Sequence, residues 1–281
     1  MRYKKGFTIK PKVVNQIGHV IFTDGTNDVV ANQRTCEAYG YRFNPSDGTC
    51  TAFIYNTKIN RTASNVHNII KGNLNTATLG TENSFILGNK NRTLGENLNV
   101  IISGKNNEIV ENINNSSIIS GSYGQVVNQG EVVFAGGGFD NSVGLSQQSF
   151  IQQSGKTTDA TETALLTQFL PLTYIQKVAN SVIAFEVNVI GVHFGGGLGT
   201  VGEYGYFQLT GAVQFTNGLA SDYHQTVHAL VPHGHSGLNL TGEMKDVTAT
   251  SFGVHVTGIA ENNIQWTASI KLWQNKLTTT F

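Results

Sequence analysis

Between residues 68 and 155, short apolar runs alternate with polar corners, and six of the runs close on glycine. They read N-I-I-K-G (68–72), S-F-I-L-G (84–88), V-I-I-S-G (100–104), S-I-I-S-G (117–121), V-V-F-A-G (132–136) and S-F-I-Q-Q-S-G (149–155). Successive spacings from Gly72 through Gly88, Gly104 and Gly121 to Gly136 are 16, 16, 17 and 15 positions. A period this short predicts a stacked β-coil, one turn per repeat. Each repeat carries a weaker second half, T-A-T-L-G (76–80), R-T-L-G (92–95), E-I-V-E (108–111), Q-V-V-N (125–128) and S-V-G (142–144). Asparagine recurs at the joints, at Asn73, Asn83, Asn89, Asn97, Asn106, Asn112, Asn128 and Asn141. Glycine and asparagine tolerate positive φ and so turn corners that β-branched residues cannot. At ~4.8 Å per rung, six rungs make a column on the order of 30 Å long. One such coil is thin against a chain entropy of about 1–2 kcal/mol per ordered residue. Residues 61–157 are therefore expected to form a stalk in which three chains pool their inner faces.

The flanks follow other patterns. Residues 1–60 read as a small mixed module. An extended arm and a strand reach the Asp24-Gly25 turn. A helix follows, N-capped by Thr26 or Asn27, with Val29, Val30, Cys36 and Tyr39 on one face and Gly40 closing it. A hairpin around N-P-S-D-G-T (44–49) comes last. The polar segment 157–171 breaks the repeat. Beyond it, Ile183, Phe185, Val187 and Val189 alternate with polar positions, as do Ile264, Trp266, Ala268, Ile270 and Leu272. Period-two alternation on several runs predicts a two-sheet, jelly-roll-like sandwich over 158–281. The fold class is thus all-β.

Composition narrows the function. Lys+Arg 18 balances Asp+Glu 18, so no overall field draws the chain to nucleic acid. No apolar run reaches the ~18–20 residues of a membrane helix. The basic start lacks the apolar core of a secretory signal, and the protein is expected to be made in a host cytoplasm without membrane insertion.

Candidate chemistry is sparse. Cys36 and Cys50 make either a small disulfide loop or two buried thiols, and two cysteines do not supply a four-ligand zinc site. His228, His233 and His235 cluster, and His233 and His235 in H-x-H spacing face one side of a strand. Six imidazoles around a threefold axis would suit a metal, while an ordinary polar loop explains the cluster as well. The Gly-rich run 191–206 has neither a Lys nor a following helix, which excludes a phosphate cradle. Asp222, Tyr223, His224 and Gln225 offer aromatic and hydrogen-bonding groups suited to a receptor. Glu82, Glu96, Glu108, Glu111 and Asp140 fall at what read as solvated corners rather than as the facing pair that glycan hydrolysis requires. No G-x-S-x-G elbow occurs. No cofactor is implied, and the chain reads as a non-enzyme.

The repeat G-N-x-N-x-x-x-x-G-x-x-N-S-x-I-x-G resembles the head repeats of trimeric adhesins and the β-coil stalks of phage fibres. The runs S-V-I-A-F-E-V-N-V-I-G-V, Y-F-Q-L-T-G-A-V-Q-F and F-G-V-H-V-T-G through I-Q-W-T-A-S-I-K-L-W resemble a C-terminal domain of phage tail and fibre proteins. The resemblance implies a homotrimeric virion protein of a tailed bacteriophage. Residues 1–60 would dock on tail or capsid proteins, and 158–281 would meet a host-surface glycan or protein receptor. A head fibre or capsid-decoration protein is the first alternative, and a glycan depolymerase the second.

Overall fold

The computed structural model describes residues 2–15, 18–52, 67–137, 140–169, 171–217, 221–230 and 240–278. Its first unit is an antiparallel meander of β1 (Lys10–Val14), β2 (Val20–Thr23) and β3 (Asp28–Val29). The single helix among the described residues, α1 (Gln33–Ala38), follows, and then the hairpin of β4 (Arg42–Asn44) and β5 (Thr49–Thr51). The helix starts later than expected. Neither Thr26 nor Asn27 caps it: both donate their N–H to Asp24 Oδ1, at 2.8 Å each, in a turn that feeds Asp28 and Val29 into a strand. That local side-chain turn competes with helix at the very place where two β-branched valines disfavour it. Asn32 is the N-cap, accepting from Thr35 N, and Val30 is exposed. Gly40, at φ +79°, follows the helix and donates to Glu37 O. Cys36 and Cys50 form a disulfide buried beside Val20, Phe22 and Ala31.

The repeat folds as a parallel β-solenoid. Its first side stacks β6 (Ile69–Asn73), β7 (Phe85–Asn89), β9 (Ile101–Lys105), β11 (Ser117–Ser120) and β13 (Val132–Ala135). Gly72 pairs with Gly88 and Gly88 with Gly104, so like residues ladder on like. The second side holds β8 (Arg92–Thr93), β10 (Glu108–Ile109) and β12 (Gln125–Val126). A third side carries the bridges Glu82–Leu98 and Leu98–Asn114. Glycine ends each run because rungs touch there: a methyl group on Gly88 would lie 2.0 Å from Gly104 O, at φ +108°.

Two expectations for the coil need correction. Its interior is not left for sister chains to fill. Ile70, Ile86, Ile102, Ile118 and Val133 on the first side meet Ala77, Val100, Ile109, Ile113 and Val126 in one buried cluster within the single chain. The sixth run is not a rung either. It lies in β14 (Ser146–Thr157), which runs antiparallel to β13 and continues for 12 residues without a corner.

β14 also opens the last unit. One sheet runs β19-β18-β17-β22-β14 and continues without a break into the coil strands β13-β11-β9-β7-β6, where β17 is Ser181–Gly196, β18 Tyr204–Phe215, β19 Ser221–Leu230 and β22 Asn262–Lys276. A smaller sheet joins β15 (Glu162–Ala164), β16 (Ile175–Gln176), β20 (Thr241–Asp246) and β21 (Ser251–Thr257). The alternation reads true in both long strands. Ile183, Phe185, Val187 and Val189 of β17 and Ile264 through Leu272 of β22 face Met244, Phe252, Val254 and Val256 across one core. The expected boundary near 157 falls at the end of β14, a strand bonded to the coil on one edge and to β22 on the other.

Candidate functional site

The four proposed receptor contacts lie on β19, the edge strand of the long sheet. Strand alternation splits them into two pairs. Tyr223 packs edge-on against Phe215 at 6.4 Å and donates its hydroxyl to Asp246 Oδ1 at 2.7 Å. Burial, and then the Asp246 carboxylate, push the phenol above its ordinary range. Gln225 donates Nε2 to Met244 O at 3.0 Å and accepts Met244 N at 2.8 Å, stitching β19 to β20. These two side chains close the seam between the sheets. Asp222 and His224 face solvent, paired at 3.4 Å.

Behind Tyr223, Asp246 also accepts from Ser221 and pairs with the buried Lys177 at 2.8 Å. Burial raises the Asp246 carboxyl, and the hydrogen bonds from Lys177, Tyr223 and Ser221 outweigh it, holding the group below its ordinary value. Of the histidines, His228 lies 3.1 Å from Thr210 Oγ1, and His233 and His235 lie outside the described residues. Among the described residues no three His, Cys, Asp or Glu side chains gather as a metal site, and no helix is long and apolar enough to cross a membrane.

The coil carboxylates divide as well. Glu96, Glu111 and Asp140 are exposed, and Glu82 is half-buried. Glu108 is no solvated corner: its side chain is 4% exposed, paired with Arg92 and accepting Gln125 Nε2 at 2.7 Å. The sequence reading missed Glu131 altogether. Its buried Oε2 accepts from Val127 N, Asn128 N and Asn128 Nδ2 at 3.0–3.1 Å. Desolvation pushes its carboxyl up against those bonds.

Two outward features of the coil are built by its register. The first is an apolar row. Ile69, Phe85 and Ile101 are direct ladder neighbours; on the next rung Ser117 takes that register position and Ile119 lies two residues further along, and each of the four apolar residues is 42–47% exposed, while the residue beside it points inward and is buried. The row continues on the same sheet to Phe134 and Phe150, whose rings meet edge-on at 5.7 Å, and to Trp273. The second is a polar cleft of about 420 Å³, lined by Lys90, Arg92, Asn106, Asn107, Tyr123 and Asn141 together with Val143.

No family model matches the chain, and no curated protein matches it. Two solved structures resemble it in part. The tailspike protein of Acinetobacter phage vB_ApiP_P1 is 8% identical with a TM-score of 0.21, over 76% of this chain and 48% of that one. The tailspike protein of Acinetobacter baumannii phage AM24 is 9% identical with a TM-score of 0.24, over 75% and 50%. The chain spans about half the length of these two proteins.

Proposed function

We propose that the chain is a structural protein of a tailed bacteriophage virion, a homotrimeric tail fibre or receptor-binding protein that attaches the particle to the host surface. The observation that carries this reading is the exposed row Ile69, Phe85, Ile101 and Ile119 on a coil whose interior is already full. Soluble monomers seldom keep a contiguous apolar stripe. An apolar stripe along a coil meets its own copy under rotation about a parallel axis, which is the condition for a closed symmetric oligomer. Copies therefore pool outer faces, where the sequence had pointed to inner ones. Three chains then present three C-terminal units together, and attachment comes from avidity rather than from one tight contact. Residues 1–60 dock on the particle, and 158–281 meet the glycan or protein receptor.

Labelled antibody against the chain, imaged on intact virions, tests the reading. Label on the tail is expected. Label on capsid faces would replace the tail fibre with a head fibre, and virions without label would refute both. Removal of 158–281 is expected to abolish adsorption, and unchanged adsorption would contradict the receptor role of that unit.

A further inference from the structure

We infer that the polar cleft of the coil binds a carboxylate-bearing saccharide, so that the coil itself, and not only the C-terminal unit, touches host glycan. The inference rests on the attachment reading above. It begins with backbone strain. Leu74, Lys90, Asn106 and Tyr123 occupy equivalent corners of successive turns, with φ of +58°, +57°, +56° and +60°. The amides of Lys90, Asn106 and Tyr123 each donate to the preceding turn, at Asn73 O, Asn89 O and Lys105 O. Positive φ is easy for Gly and Asn and strained for bulky residues. A second corner column follows that rule at Asn83, Asn99 and Asn115, all in the left-handed region, and departs from it at His67, φ +70°, while Glu96, φ +49°, departs from it in a third. The column beside the cleft departs most often, at Leu74, Lys90 and Tyr123, where Asn would fold more easily. Strain kept at a concave polar surface marks side chains retained for what they contact.

What they contact follows from their chemistry. Lys90 is exposed and Arg92 is 59% exposed at its side chain, and both line the cleft. None of the lining residues is acidic, because Glu108 is turned inward beneath its partners Arg92 and Gln125. The Lys90 ammonium attracts a carboxylate, and Arg92, whose Nε and one Nη already bond Glu108, offers its remaining N–H groups as directed donors rather than as a second unpaired charge. The Tyr123 ring, fixed by its hydroxyl bond to Asn141 Oδ1 at 2.7 Å, gives an apolar face for the C–H side of a sugar ring. The Asn106 and Asn141 amides supply donors and acceptors for ring hydroxyls. Lys90 and Tyr123 are two turns apart, about 10 Å at ~4.8 Å per turn, which suits a disaccharide-length segment.

The test is calorimetric titration of the full chain with oligogalacturonate and with a neutral maltooligosaccharide at equal ionic strength, alongside binding of the same protein to host cells. Oligogalacturonate is expected to bind at least tenfold more tightly than the neutral sugar. Lys90→Asn and Tyr123→Asn should each lower that affinity at least tenfold while the melting temperature holds or rises, since asparagine suits the corner. Equal binding of both sugars, no binding of either, or unchanged affinity in the asparagine variants would overturn the inference. Cell binding separates the two levels. Protein that coats cells yet ignores oligogalacturonate defeats this inference alone, whereas protein that binds neither defeats the attachment reading with it.

Discussion

Asn91 makes three hydrogen bonds with one buried side chain. Its Nδ2 donates to Leu87 O at 2.7 Å and to Gly104 O at 2.9 Å, and its Oδ1 accepts Asn107 N at 3.1 Å. Asn75 and Asn107 repeat the arrangement one turn to either side, so an amide column runs through the coil. Replacing Asn91 by Ala strands buried backbone groups at about 1–3 kcal/mol each. A loss of about 2–4 kcal/mol in urea unfolding is expected. Glu131 gives a prediction of opposite character. Its folded pKa lies above the ordinary 4.5 because burial penalises the charge. Its contribution is therefore full below that ordinary value and is lost as pH rises through the raised one. Relative to wild type, Glu131→Gln should gain stability steadily above pH 4.5, read as the difference between paired melting curves. A constant difference across pH would refute the assignment. Asn73, Asn89, Asn97 and Asn128 hold no positive φ, and Asn97 and Asn128 are buried, whereas the corners at Asn83, Asn106, Asn112 and Asn141 were legible because positive φ selects asparagine. The inward column was not, although Asn75, Asn91 and Asn107 recur every sixteen positions, because spacing alone does not tell a corner from a core amide.

At the scale of elements, the solenoid is closed where β14 crosses its end. Gln147 accepts Gln125 N at 2.9 Å through Oε1 and donates Nε2 to Gln125 O at 2.8 Å, so one side chain imitates the next strand. An uncapped end would offer β12 as a free edge, and repeat proteins manage such ends explicitly. Gln147→Ala is expected to speed hydrogen exchange at the Gln125 amide while leaving that of Ile109, one strand inward, unchanged. Equal protection at Gln125 in both proteins would contradict the cap. The period announced β6, β7, β9, β11 and β13, since every rung repeats one run. It misplaced β14, because S-F-I-Q-Q-S-G shares the apolar start of a rung and differs only in lacking a corner. The helix was misplaced for a related reason: Asp24 takes up the amides that Thr26 and Asn27 would have brought to a helix start. The alternation in β17 and β22 was read without error, because a two-residue period over nine or more positions has no rival explanation.

At the scale of the whole molecule, ten strands from β19 to β6 form one hydrogen-bonded sheet, with the coil at one end and the two-sheet core at the other. The coil and the last unit share this sheet through the antiparallel pairing of β13 with β14. Its outer surface carries the row from Ile69 to Ile119, continued by Phe134, Phe150 and Trp273. The repeat period could reveal that row only as the non-core half of each run. Deciding which half faces out required the register, because adjacent Ile69 and Ile70 or Ile101 and Ile102 are chemically the same. The proposed trimer would cover this stripe with copies of the chain. Native mass spectrometry of the purified chain measures that directly. The account predicts a species at three times the 30.3 kDa chain mass that dissociates when Phe85 and Ile101 are both changed to Asp. A wild-type protein that stays at the single-chain mass at every concentration would contradict it.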